Sequence, residues 1–399
     1  MAKQNSTTLP PSLPLVLRSR RNLLESGAKF LAPGFTAPTQ LPITADGTTY
    51  SMAQEATWLD ANHFAVGRWD GSLTVFAFNP SAASGPVITT AVSSPVAEGI
   101  QMIVWLSTGV FATSNDDASL IVWQAASQTW SDLRPVTQLK FDPALGMANS
   151  ADSFTLGTGL YLVVGHANGF ISIWSGAAGG TSWALLTTVD VRAAHPVNPW
   201  GLHNVRGVST ILQTANRAYV VSGSEDGNLC VVSVPDGQIL STTVYNPAAE
   251  RGINSVAAFG QNLLVANCSV GPNDKNLWFY RVDLDTWQIA LSDSTNLRVN
   301  PSAPQVFNFC TVWGLYQGGV CFFASTEEGA LWMGNIQGGK LNVFGYQEVS
   351  IALGAALAFN AGGQLVMINY NLYEFVTANG APPSAATNPE LLPASSAPR

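Results

Sequence analysis

Seven segments of the chain repeat one plan: an apolar strand, a tight polar turn, then a second alternating strand that often ends in an aromatic residue. They read HFAVGRWDGSLTVFAF (63–78), VFATSNDDASLIVWQ (110–124), LYLVVGHANGFISIWS (160–175) and RAYVVSGSEDGNLCVVSV (217–234). Three more follow: NLLVANCSVGPNDKNLWFYRV (262–282), GVCFFASTEEGALWMGNI (319–336) and QLVMINYNLYEFV (364–376). The aliphatic residue after each turn sets the register: Leu73, Leu120, Ile171, Leu229, Leu277, Leu331 and Leu372, 41 to 58 residues apart. A period of about 50 residues marks a unit that cannot bury its apolar face alone and must stack on its neighbours. Leu120 and Val122 alternating with Ile121 and Trp123 have period 2, so the units are strands and not helices.

The turns agree with that reading. Asp70-Gly71, Asn168-Gly169 and Asp226-Gly227 supply residues that tolerate positive φ, as short hairpin turns require. Asp116-Asp117 and Glu328-Gly329 are weaker versions, and the loop at Pro272, Asn273 and Asp274 is an insertion. Each unit also carries an apolar stretch before and after its hairpin, such as 205–212 and 238–244, or 253–259 and 287–292. Four strands in each of seven units predict an all-β chain: a seven-bladed β-propeller of four-stranded antiparallel blades.

At this point the strings VVGHANGFISIW (163–174), VVSGSEDGNLCVV (220–232) and VFATSNDDASLIVW (110–123) resemble the core of WD repeats. In both, a small residue precedes an acidic or Asn turn, then an aliphatic and an aromatic. The resemblance covers roughly residues 50–377 and is degenerate: no repeat ends in Trp-Asp, and the Gly-His at 165–166 falls where a turn is expected. The seventh unit shows three strands before the chain becomes Pro- and Ala-rich near Asn379. An open fourth position would expose an edge prone to pairing. As the resemblance implies, an N-terminal strand from within 35–43 is expected to close the ring. The domain organisation is then a basic arm over 1–34, the propeller over 35–379 and a disordered tail over 380–399.

Composition narrows the function classes. Charged residues are 11% of the chain, there are five lysines among 399 residues, and no apolar run approaches the 18 residues of a membrane span. Residues 1–30 hold Lys3, Arg18, Arg20, Arg21 and Lys29 against Glu25 alone, whereas the whole chain carries −8. Such an arm suits nucleic acid or an acidic surface, or is a solvated extension. Its apolar stretch at 13–17 is too short for a secretory signal, so an intracellular chain, or one belonging to an assembled particle, is expected. Cys230, Cys268, Cys310 and Cys321 are scattered and read as buried small hydrophobes. The sequon at Asn267 lies in an expected strand, which argues against its use; Asn5 carries another.

No GxSxG, GxxxxGK[ST], HExxH or calcium-loop string occurs, and only His195 and His203 of the four histidines lie close together. No enzyme activity, metal or cofactor is expected. The turn acids Asp116, Asp117, Glu225, Asp226, Glu327 and Glu328 are explained by turn chemistry. The connectors between units are more informative. YNPAAERGIN (245–254) and VNPSAPQVFN (299–308) share an Asn-Pro followed by a second Asn at the same interval, and VNPWGLHN (197–204) is a shorter relative. Repeated turn chemistry explains them, or else a ring of amides near the channel mouth. The long connector 191–208 carries Arg192, His195, Trp200, His203 and Arg206, and neighbouring connectors add Glu250, Arg251 and Arg298. Trp and Arg are enriched at binding hot spots, so these eight residues form the expected partner site. The expected role is a scaffold binding protein partners within a larger complex. Two alternatives stand beside it: a structural subunit of a multi-copy particle, and a glycan-binding or enzymatic propeller with a site at the channel mouth.

Overall fold

A computed structural model describes residues 39–40, 53–79, 85–96, 99–177, 179–180, 182–198, 200–271, 273–316, 319–348, 354–360, 363–369 and 373–377. The basic arm, the C-terminal tail, Asn5 and Leu372 lie outside the described residues.

The strands group into seven four-stranded antiparallel blades. Blade 1 is Ala53–Trp58, His63–Arg68, Ser72–Ala77 and Val87–Ser93. Blade 2 is Ile103–Ser107, Val110–Asn115, Ser119–Gln124 and Arg134–Lys140. Blade 3 is Ala148–Leu156, Gly159–His166, Phe170–Gly176 and Trp183–Asp190. Blade 4 is Val205–Gln213, Ala218–Ser224, Asn228–Val234 and Ile239–Val244. Blade 5 is Ile253–Phe259, Asn262–Val270, Leu277–Val282 and Ile289–Thr295. Blade 6 is Gln305–Tyr316, Gly319–Thr326, Ala330–Gln337 and Lys340–Glu348. Blade 7 takes Gly354–Phe359, Gln364–Asn369 and Tyr373–Thr377 from the end of the chain and Thr39–Gln40 from its beginning. Thr39 pairs with Phe375 and Gln40 with Glu374, so an N-terminal strand closes the ring as expected.

The turn chemistry is realised at the expected glycines. Gly71, Gly169, Gly227 and Gly329 all have φ between +75° and +86°. In blade 2, where the sequence offers Asp-Asp-Ala, Ala118 takes that position with φ +59°. One expectation is corrected: Gly165 and His166 are not in a turn. They end the second strand of blade 3, and His166 is fully buried with Nε2 2.7 Å from the Ser172 hydroxyl.

The core lies between blades. Seven apolar clusters each span one seam; Phe64, Phe76, Val366 and Ile368 join blade 1 to blade 7, and Leu264, Phe279, Phe322 and Trp332 join blade 5 to blade 6. Each fully buried Leu, Val or Phe in a seam contributes about 1.5–3 kcal/mol. The innermost strands also touch in sequence around the ring, and Gly354–Phe359 meets Ala53–Trp58. Side chains stitch these seams: Trp58 Nε1 donates to the Ala358 carbonyl at 3.1 Å, and Asp152 accepts from the Thr210 amide and hydroxyl at 2.7 and 2.8 Å. Blades 5 and 6 are tied further, because Asn262–Val270 outruns its blade and pairs Cys268, Ser269 and Val270 with Phe307, Val306 and Gln305.

The cysteines behave as apolar residues. Cys230, Cys268 and Cys321 are buried and Cys310 is half-buried; none is bridged, and burial pushes the Cys230, Cys268 and Cys310 thiols up to about 12. Asn267 is also unavailable for modification. It is 1% exposed, and its amide binds the Tyr245 hydroxyl and the Trp278 indole. No helix among the described residues is long and apolar enough to cross a membrane.

Candidate functional site

In a four-stranded meander, the turn between the second and third strands lies at the same end as the connector to the next blade. Both therefore share one face of the ring. Six innermost strands reach this face through a bulge, because their pairing with the second strand skips one residue there. The skipped residues are Gln54, Asn149, Arg206, Asn254, Phe309 and Ala355. A bulge re-aims a side chain, and in blades 1 and 4 it turns a polar group toward the turn of the same blade. Gln54 Oε1 accepts from Trp69 Nε1 at 2.5 Å in blade 1, and Arg206 Nε donates to Glu225 Oε1 at 2.7 Å in blade 4.

The turn acids reach further than turn chemistry requires. Asp226 is fully buried, and its carboxylate receives the Ala193 amide at 2.8 Å, the Asn228 amide at 3.0 Å, the Ser224 hydroxyl and His203 Nδ1 at 2.8 Å. Glu225 holds Arg206 and, through Oε2, the Asn204 amide at 2.9 Å. Glu328 accepts the Val299 and Asn300 amides at 2.7 and 2.8 Å. Each of these carboxylates thus pins the connector arriving from the preceding blade. Glu327 accepts the Phe307 amide at 3.2 Å, yet burial lifts its pKa to about 7.

The Asn-Pro connectors are turns. Asn198 Oδ1 accepts from the Trp200 amide at 2.7 Å, Asn246 Oδ1 from Ala248 at 3.3 Å, and Asn300 Oδ1 from Ser302 at 3.0 Å. The second Asn of each forms an arc of amides along the loop face. Asn149 Nδ2 lies 3.4 Å from Asn204 Oδ1, Asn254 Nδ2 donates to the Asn308 carbonyl at 3.0 Å, and Asn308 Nδ2 to that of Asn276 at 3.0 Å. These amides bind backbone carbonyls and one neighbouring side chain, in keeping with the reading as repeated turn chemistry.

The eight expected site residues are divided by the structure. Arg206 is not in the connector, which spans 191–204, but on the bulge of the innermost strand, ion-paired to Glu225. Arg192 forks onto Asp190, lies over the Phe170 ring at 4.9 Å, and holds the Asp190 carboxyl below its usual range. His203 is spent on Asp226. Arg298 turns into its own loop and donates to the Ala303 and Gly271 carbonyls and the Ser269 hydroxyl. His195 and Glu250 face solvent.

Trp200 and Arg251 meet. The guanidinium carbon of Arg251 stands 4.1 Å from the Trp200 ring centroid, joining the connectors on either side of blade 4. Trp200 is 56% exposed and Leu202 beside it 45%. Arg251 is carried there by two contacts that sequence reading missed. The Tyr245 hydroxyl donates to the Arg251 carbonyl, and Gly252 lies so close to the Glu225 backbone that a Cβ would come within 1.6 Å of its carbonyl oxygen. Nothing local to Tyr245 or Gly252 in the sequence announces either contact.

The innermost strand of blade 1 holds one further ionisable group of note. The half-buried Glu55 accepts the Ala56 amide at 2.8 Å, and burial raises its pKa to about 8. Among the described residues no three His, Cys, Asp or Glu side chains gather as metal ligands would.

No protein-family model matches the chain, and no curated protein matches it. Among solved structures, it is similar to the WD40 β-propeller domain of Doa1, with a TM-score of 0.62 at 11% identity. The match covers 87% of this chain and 98% of that one. At such identity the likeness concerns the fold: the chain is a WD40-like β-propeller.

Proposed function

We propose that the chain is a non-catalytic propeller scaffold that binds a protein partner on the face carrying the inter-blade connectors. The observation that carries this reading is Trp200, an aromatic left 56% exposed on a connector whose backbone is fixed by the buried Asp226. An exposed aromatic on a rigid base loses little entropy when a partner covers it. Affinity purification of the tagged full chain from its native source, with identification of co-purifying proteins, tests it. Trp200→Ala is expected to deplete one identified protein at unchanged Tm; undiminished recovery with both Trp200→Ala and Leu202→Ser would overturn the reading.

A second reading has its own observation. The outermost strands carry exposed Val87, Leu185, Leu186, Ile239, Leu291 and Phe344, and Val87–Ser93 and Ile239–Val244 contain no charged residue. Such a rim suits burial by neighbours in a multi-copy assembly. Light scattering on the purified chain tests self-assembly, and a monomer at high micromolar concentration speaks against it.

A further inference from the structure

We infer that the Trp200–Arg251 pair is a subsite for a carboxylate next to an apolar side chain, so that the partner presents an acidic peptide segment there. This rests on the loop-face reading and specifies the chemistry of its ligand.

The arginines of this face differ in what they have left to give. Arg192 places Nε and a terminal nitrogen on Asp190, Arg206 does the same with Glu225, and Arg298 spends both terminal nitrogens on carbonyls and a hydroxyl. His203 is matched with Asp226. Arg251 alone among these arginines makes no side-chain hydrogen bond or ion pair among the described residues; its Nε, like that of Arg298, is buried without an acceptor. Glu250, its neighbour in sequence, faces solvent and forms no ion pair with it among the described residues.

The ring contact leaves the donors uncommitted. An indole face attracts the guanidinium as a cation without accepting its in-plane N–H groups. Free planar donors match a carboxylate bidentately, and a guanidinium with no counter-ion among the described residues favours an anion over a neutral group. Trp200 and Leu202 extend the site as an apolar shelf, 56% and 45% exposed. A ligand that satisfies both needs Asp or Glu adjacent to a Leu, Ile, Val or Phe. Nucleic acid fits less well, because the remaining cations nearby are already neutralised by Asp190, Glu225 and Asp226.

The test uses the full chain and two fluorescein-labelled eight-residue peptide pools. One has a central Asp or Glu flanked by randomised Leu, Ile, Val and Phe; the other has Asn or Gln at the centre. Fluorescence polarisation is expected to show at least tenfold tighter binding of the acidic pool, weakening with salt. Arg251→Gln should abolish that preference while leaving the amide pool and the Tm unchanged, and Arg251→Lys should retain part of it. Trp200→Ala should weaken both pools. Equal binding of the pools, absence of binding by either, or an acid preference that survives Arg251→Gln overturns the inference. A native partner lost with Trp200→Ala but kept with Arg251→Gln would overturn this inference and leave the loop-face reading intact. A partner kept with Trp200→Ala, Leu202→Ser and Arg251→Gln alike would remove both.

Discussion

His203 Nδ1 lies 2.8 Å from the carboxylate of Asp226, and that carboxylate is wholly buried. It joins the connector entering blade 4 to the turn of the same blade. Asp226 also receives two backbone amides and a hydroxyl, so four donors replace the water it gave up. Removing the carboxylate strands all four. Asp226→Ala is expected to cost about 3–5 kcal/mol, read as a lower urea midpoint at constant slope. His203→Ala leaves three donors in place and should cost less, about 1–2 kcal/mol.

Gly252 is the point where a connector touches a neighbouring turn. A Cβ at this position would meet the Glu225 carbonyl oxygen at 1.6 Å, and neither backbone is free to yield. Gly252→Ala is expected to destabilise the fold by about 2–4 kcal/mol. It should also shift Arg251 off Trp200, visible as a change in tryptophan emission. A variant with wild-type Tm and emission would show that the contact is slack.

Glu55 sets an alkaline dependence. Its folded pKa is about 8 against an ordinary 4.5, raised by burial. The native chain therefore keeps a proton that the unfolded chain has lost. Its contribution to stability is intact below about pH 4.5, declines as the pH climbs toward 8, and is constant above. Glu55→Gln is expected to raise the Tm at pH 8.5 and to flatten the stability profile between pH 5 and 8. The gain at pH 8.5 should be about 1–3 kcal/mol, since Glu55 is only half-buried and solvent screens part of the shift.

His166 works in the opposite direction and in acid. Burial lowers its pKa from 6.5 to about 4, so the native ring stays neutral while the unfolded one takes up a proton. That contribution is full above pH 6.5 and is lost as the pH falls toward 4, amounting to about 3 kcal/mol at the limit. His166→Gln is expected to be less stable at pH 7, having lost the 2.7 Å contact to Ser172 and the edge-on packing against Phe141. Between pH 7 and 4.5, however, its urea midpoint should fall less than that of the wild type.

The ring itself was legible because its causes are local and repeated. Period-2 strand pairs recur seven times at intervals of 41 to 58 residues, several around turn residues that tolerate positive φ, and repetition makes each degenerate copy readable by its neighbours. A count of three strands where four were needed showed that one was missing, and the resemblance to WD repeats implied its N-terminal source. The loop face was less legible. Trp200 and Arg251 were singled out by residue type, 51 positions apart, but nothing in either connector says that they stack. Arg206, Arg192, His203 and Arg298 had the same residue-type signal and proved to be committed to internal partners.

The amino-acid sequence by itself determined the number of blades and the antiparallel four-strand plan of each. Those properties depend on side-chain period and backbone preference within a few residues. Tertiary structure decided which charges are free. Whether an arginine is spent or available depends on the acceptor that a bulge, the turn of its own blade or a neighbouring loop brings to it. Only the folded ring sets those distances.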